Sequence, residues 1–225
     1  MANPTLITFD VYMALLDIQG GLSDAFAEAA KLPLAQAHSM VALWRTKQME
    51  RAASSNALGL GHTLFQACTE MSLDYVAARH DLNISASART QLVQSWSSLQ
   101  PWPEADAALA AVKARGYQIA ILSNGDQQML DSVAAQFSTS FDHVLSAETV
   151  AHYKPHPDIY ALPATQLGIA GEATVHVAGS ANDVLGAVAF GLRCVWSNRN
   201  NEPLVDPHFP PTHQIQKLTE LAAVL

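Results

Sequence analysis

Leu6-Ile7-Thr8-Phe9-Asp10-Val11-Tyr12 is the stretch on which the reading of the fold turns. The run before the aspartate is short, apolar and rich in β-branched residues, the pattern of a buried strand rather than a helix. Asp10 falls where that strand ends. In an open α/β sheet, ligands bind beyond the carboxyl ends of the strands, so Asp10 is a candidate functional carboxylate. Taken alone, the stretch reads more readily as an aspartate that merely caps a turn.

Downstream, from about Gly20 to Trp102, the chain turns rich in Ala, Leu, Gln, Met and Ser at helical spacing. Leu22, Phe26 and Ala29-Ala30 share one face. Val41, Trp44 and Arg51 mark a longer helix after Pro33, Phe65, Cys68, Met71 and Tyr75 a third, and Leu92, Val93 and Trp96 a fourth. Beyond Pro101-Trp102-Pro103 strands and helices alternate. A helix from Pro103 is closed by Gly116, and strands follow at Gln118–Leu122, His143–Ser146, Val175–Ala178 and Cys194–Ser197. Between them lie helices at Gln127–Phe137, Pro157–Leu167 and Asn182–Phe190. Such alternation implies a parallel sheet with right-handed crossovers. The expected fold is therefore α/β, a doubly wound, Rossmann-like parallel-sheet core of residues 1–16 and 103–225, with an all-helical insert at 17–102.

The 225 residues, 49 % of them apolar, are ample for such a core. Net charge is −8, from 12 basic and 20 acidic residues, with no Lys/Arg block. No nucleic-acid or anionic-membrane partner is expected. Cys68 and Cys194 fit no Cys-x-x-Cys spacing and read as free thiols of a reducing cytoplasm. Neither a signal peptide nor a bilayer-spanning run is visible, so a soluble cytoplasmic protein is expected. The apolar insert permits a homodimer without requiring one.

Asp10, Ser123-Asn124, Lys154 and Asp183 all fall at or just after strand carboxyl ends. Each has a plain alternative: a turn at Ser123-Asn124-Gly125, a solvated loop lysine, a carboxylate serving a helix start. Together, in this order on one sheet edge, they point to a site. The segments Phe9-Asp10-Val11-Tyr12, Ile121-Leu122-Ser123-Asn124-Gly125, Tyr153-Lys154-Pro155 and Val177-Ala178-Gly179-Ser180-Ala181-Asn182-Asp183 resemble the haloacid dehalogenase superfamily, over nearly the whole chain. Within it the chain looks most like the L-2-haloacid dehalogenases. Its helical insert matches their cap, with Trp44-Arg45-Thr46-Lys47-Gln48-Met49-Glu50 where they carry an essential arginine.

The resemblance implies an (S)-2-haloacid dehalogenase-like hydrolase, turning short 2-haloalkanoic acids and water into 2-hydroxy acids and halide, without metal or cofactor. Asp10 would displace the halide and form an ester. Ser123 and the main-chain N–H groups of Val11, Tyr12 and Asn124 would hold the substrate carboxylate. Arg45, with Asn124, would receive the halide, since a guanidinium stays cationic and offers several fixed donors. Lys154 would keep Asp10 ionised, while Asp183 would orient or deprotonate the hydrolytic water with help from Ser180. Tyr12, Met49 and Phe65 would wall the pocket, core packing being the competing role. Tyr160 matches a tyrosine that supports the site.

Two features favour dehalogenation over phosphoryl transfer. Phosphatases of this fold place a second Asp two residues after the nucleophile to protonate the leaving alkoxide; here that residue is Tyr12. They also hold Mg²⁺ with an acidic residue of the fourth segment; here that position is Gly179. The chain departs from the dehalogenases as well. Met13-Ala14 replaces Gly-Thr, removing a hydroxyl that orients the nucleophile and tightening the turn at Met13. Ala178, Ser180 and Asn182 replace Ser, Asn and an aromatic residue. A phosphatase of the same fold and a catalytically weak binding relative remain the other readings. A metal site at His152 and His156 is set aside, because Pro155 and Pro157 break the helix their spacing would need. These two read as exposed loop histidines, and His62, His143 and His176 offer no closer pattern.

Overall fold

A computed structural model of the chain describes residues 4–59 and 61–225. Its elements run β1 (Leu6–Phe9), α1 (Ile18–Ala30), α2 (Leu34–Leu58), α3 (Phe65–Arg79), α4 (Ala86–Gln94), α5 (Ala105–Ala114), β2 (Gln118–Ser123), α6 (Gln127–Ala134), β3 (His143–Ser146), α7 (Pro157–Tyr160), α8 (Leu162–Leu167), β4 (Thr174–Ala178), α9 (Ala181–Phe190), β5 (Arg193–Ser197), β6 (His213–Ile215) and α10 (Leu221–Val224). The chain divides into two compact units, one of residues up to Leu16 with Pro101–Leu225, the other of Asp17–Gln100.

The first unit is built on a six-stranded sheet in the order β3-β2-β1-β4-β5-β6, every pair parallel. All four residues of β1 are fully buried, which is why it reads as an apolar run without alternation. From β1 the sheet grows outward in both directions, so the topological switch lies between β1 and β4, where doubly wound sheets bind their ligands. Phe9 pairs with Ile121 on one side and Val177 on the other. That register brings Asp10, Ser123-Asn124 and Gly179 to one sheet edge.

Several boundaries differ from the sequence reading. The helix expected from Pro103 starts at Ala105, and that from Gln127 stops at Ala134 rather than Phe137. The Pro157–Leu167 span is two helices meeting at Ala161. Pro163 explains the break, since it has no N–H to carry one helical ladder across the junction. Strand β6 was not expected. It is three residues long with His213 and Gln214 exposed, and it sits at the sheet edge, so it carries no apolar run to recognise.

The second unit is helical. Trp44 of α2 meets Phe26 of α1 at 6.1 Å and Trp96 at 5.4 Å between ring centroids. On α3 the buried stripe is Phe65, Cys68, Thr69, Ser72, Leu73 and Val76. Met71 and Tyr75, expected on it, are 47 % and 42 % exposed. Steps of three residues drift backwards around a 3.6-residue turn, and they carry Met71 off the buried face. Among the described residues, no helix is long and apolar enough to cross a membrane.

Candidate active site

Asp10 stands one residue past β1. Its N–H donates to the Val177 carbonyl at 2.9 Å, so the β1–β4 ladder fixes its backbone. The Asp10 Oδ1 accepts from Lys154 Nζ and from Ser123 Oγ, both at 3.4 Å. Lys154 is placed from the loop before α7. Its backbone N–H donates to Asn124 Oδ1 at 2.8 Å, so the turn after β2 positions the lysine through a side-chain amide. The ammonium reaches further, to Asp183 Oδ2 at 3.0 Å. Lys154 thus bridges two buried carboxylates, a charge pattern favourable only where each ion keeps its partners.

Asp183 lies in the first turn of α9, whose N-cap is Ser180: the Ser180 Oγ accepts the Asp183 N–H at 3.3 Å. Both carboxylate oxygens are engaged. Tyr160 donates to Oδ1 at 2.9 Å, while Lys154 Nζ and His176 Nε2 lie 3.0 Å from Oδ2. Burial alone would push this carboxyl upward, but the Lys154 charge and the His176 and Lys154 hydrogen bonds outweigh it and hold it well below the carboxylate range. The Tyr160 phenol is pushed well above its usual value by burial and by Asp183, and stays a donor.

His176, to which the sequence reading gave no role, is a fully buried residue of β4. Its Nδ1 lies 2.9 Å from Thr8 Oγ1, and its Nε2 also approaches Lys154 Nζ at 3.3 Å. Burial lowers its pKa, with Asp183 opposing and Lys154 reinforcing the shift. The sequence marks it only as a polar residue inside the apolar run Val175-His176-Val177; the pairing with Thr8 comes from the strand register. Thr8 and Asp10 share a parity on the pleat, which aims both toward one face.

The remaining expected residues divide between the units. Val11 and Tyr12 are buried just after Asp10. In the helical unit, Arg45 Nη1 donates to Gln48 Oε1 at 2.6 Å and its guanidinium lies 5.7 Å from the Trp96 ring centroid. Gln48 is itself buried and donates to Thr69 Oγ1 at 2.6 Å. Met49 is half-buried on α2, and Phe65 is fully buried at the start of α3. His152 and His156 do come together, by a turn rather than a helix, with ring centroids 3.8 Å apart. His152 Nδ1 lies 2.9 Å from Asp158 Oδ2, and His156 Nδ1 accepts the Asp158 N–H at 3.3 Å, so the cluster serves as the start of α7.

Gly179 brings the loop after β4 against the loop after β1. A Cβ there would lie 2.6 Å from the Ala14 N, 2.7 Å from Asp10 Oδ2 and 2.9 Å from the Tyr12 carbonyl oxygen. Real Cβ atoms do not approach so closely, so this edge accepts glycine alone.

The same arrangement of segments recurs in known proteins. Residues 4–191 match the family model described as haloacid dehalogenase-like hydrolase. The chain is 31 % identical to (S)-2-haloacid dehalogenase 1 of Pseudomonas sp. (strain CBS-3), over 96 % of this chain and 94 % of that one. It is 32 % identical to haloacetate dehalogenase H-2 of Moraxella sp. (strain B), over 86 % and 85 %. Its fold superposes with a TM-score of 0.88 on the L-2-haloacid dehalogenase from Xanthobacter autotrophicus with chloropropionic acid covalently bound, at 26 % identity and 98 % coverage of both chains. With the strand-end carboxylates, the lysine and the inserted helices all in that order, this chain belongs to the haloacid dehalogenase-like hydrolases.

Proposed function

We propose that the protein hydrolyses short (S)-2-haloalkanoic acids to 2-hydroxy acids through an ester on Asp10, without a metal ion. The observation that carries this reading is the setting of Asp10. The carboxylate is nearly buried, it faces the Lys154 ammonium at 3.4 Å, and the space an acidic side chain at Gly179 would need is taken by the Ala14 N, the Asp10 Oδ2 and the Tyr12 carbonyl oxygen.

In the first step an Asp10 oxygen attacks the carbon bearing the halogen. The new carbon–oxygen bond forms as the carbon–halogen bond breaks, and halide leaves with the electron pair. A halide is a stable anion and needs no proton, so Tyr12 in place of a second aspartate is no handicap. Ser123 and the N–H groups of Val11, Tyr12 and Asn124 hold the substrate carboxylate. Arg45 receives the halide, a role that rests on the resemblance.

In the second step water attacks the carbonyl carbon of the Asp10 ester. The acyl carbon–oxygen bond breaks, the water oxygen stays on Asp10, and the hydroxy acid leaves after taking up a proton. One proton is released overall. Asp183 orients that water and takes its proton, with Ser180 nearby on the same helix start. Lys154 keeps Asp10 anionic before attack and again after hydrolysis.

A Mg²⁺-dependent phosphatase is the weaker reading. Hard cations need several oxygen ligands, and both Asp183 oxygens already accept from Tyr160, Lys154 and His176.

The deciding experiment is halide release from chloroacetate and from each enantiomer of 2-chloropropionate, with chelator present and Asp10→Asn as control. Chloride from the (S)-acid, none from the control and no effect of chelator are expected. No chloride from any substrate would end this reading, and chelator-sensitive phosphate release would replace it.

A further inference from the structure

The hydrogen-bond geometry around His176 fixes its proton, and the consequence reaches the reaction itself. Asp183 Oδ2 can only accept, so the 3.0 Å contact is a hydrogen bond only if His176 carries its proton on Nε2. Nδ1 is then the acceptor, and the Thr8 hydroxyl, 2.9 Å away, donates to it. The 3.3 Å approach of Lys154 Nζ to Nε2 is therefore proximity, and the ammonium donates to Asp183 and Asp10. A continuous chain results, from Thr8 through His176 to Asp183, with Lys154 and Tyr160 completing the shell of the carboxylate. Every group in it is buried.

We propose that His176 is a positioning residue for the hydrolytic half-reaction: its Nε2–H pins Asp183 Oδ2, and Thr8 pins His176 in the tautomer that can do so. The inference rests on reading Asp10 as the nucleophile. The two halves of that reaction load the chain differently. Before displacement Lys154 lies between two carboxylates. Once Asp10 is an ester it has lost its charge, and among the described residues Asp183 is the anion left on the ammonium. Asp183 must then both hold Lys154 and meet the water, so freedom in its Oδ2 harms the second half more than the first. His176 acts through Asp183, because its other nitrogen is engaged by Thr8 of the neighbouring strand.

The test separates the half-reactions. Wild type, His176→Leu, which removes the donor, His176→Gln, which restores an N–H, and Thr8→Val are mixed with (S)-2-chloropropionate. Chloride is followed through the first turnover and into steady state, and acid-quenched protein is weighed intact. For His176→Leu we expect a chloride burst near one per site, a steady-state rate lower by about tenfold or more, and accumulated ester on Asp10. His176→Gln should recover most of the rate, and Thr8→Val should fall between. Folded His176→Leu with no burst and no ester, or both half-reactions slowed alike, would overturn the proposal. Should His176→Leu not fold, the burst and ester in Thr8→Val decide in its place, and their absence there would overturn it equally. Silence of the wild type itself would instead overturn the dehalogenase reading, and this inference with it.

Discussion

Gly179 lies so close to Asp10 that a methyl group on it would stand 2.7 Å from the Asp10 Oδ2. The fourth segment of the site is thus shaped around the first, and backbone, not a side chain, fills the gap between β1 and β4. Gly179→Ala should push the carboxylate off its line with Lys154, and a misplacement of about 1 Å can cost about a hundredfold in rate. Halide release should fall by that order. Gly179→Asp, which supplies the acidic residue of a phosphatase, should gain no Mg²⁺-dependent activity against a generic phosphate ester. Magnesium-dependent turnover by that variant would contradict the argument.

Lys154 bridges Asp10 and Asp183 with its side chain 5 % exposed. Lys154→Met keeps most of the length of the side chain and removes the charge, leaving two carboxylates facing each other in a buried place. Breaking a buried ion pair from one side costs about 3–5 kcal/mol, and urea unfolding should show a loss of that order. Lys154→Arg is not a conservative repair, because a planar fork cannot stand where a compact ammonium does. Halide release should be lost in both variants. A Lys154→Met protein as stable as wild type would show that the bridge is not the structural element described.

Stability against pH follows from the same cluster. The His176 pKa is lowered by burial, so between that folded value and the ordinary one near 6.5 the unfolded chain binds a proton that the folded chain does not. Stability then rises with pH through that window and is lost as pH falls, by about 1.4 kcal/mol per unit for a single group. Asp183 acts in the same direction lower down, since its depressed pKa gives stability that is present above the ordinary carboxylate value and lost in acid. Denaturant unfolding from pH 8 to pH 5 should show wild type weakening below about 6.5. His176→Gln should lack that slope and keep only the acidic one. Equal slopes in the two proteins would remove His176 as its source.

How much of this could be read in the sequence depends on what each residue's neighbours reveal. Asp10, Asn124, Lys154 and Asp183 each follow an apolar run or sit by a proline turn, so their places at one edge were legible from strand ends alone. His176 was hidden because nothing in a single strand says what faces it; only the register with Thr8 and the reach of Lys154 make it part of the site. Edge strand β6 lacks the apolar run by which the others were found. Met13, noted as a departure, stands at φ 80°, the left-handed region where glycine is favoured. The tight turn after Asp10 therefore persists without the residue that makes it easy.

Gly186 on α9 packs against Tyr160, the tyrosine that serves Asp183. A Cβ there would strike Tyr160 Oη and lie 2.7 Å from Pro155 Cβ. Since Tyr160 Oη is also the donor to Asp183 Oδ1, one methyl group would press on the network through its hydroxyl. Gly186→Ala alone should destabilise by about 1–3 kcal/mol, as overpacking does, and lower activity by turning the phenol away. Tyr160→Phe should cost about 1.5–3 kcal/mol for a hydrogen bond to a charged group. Combined, the two changes should cost less than their sum, because the phenylalanine no longer has the oxygen that the new methyl group would strike, and the Asp183 bond can be lost only once. Denaturant unfolding of the two single variants and the double variant measures this directly. Strict additivity would mean that α9 and Tyr160 are not coupled through that hydroxyl.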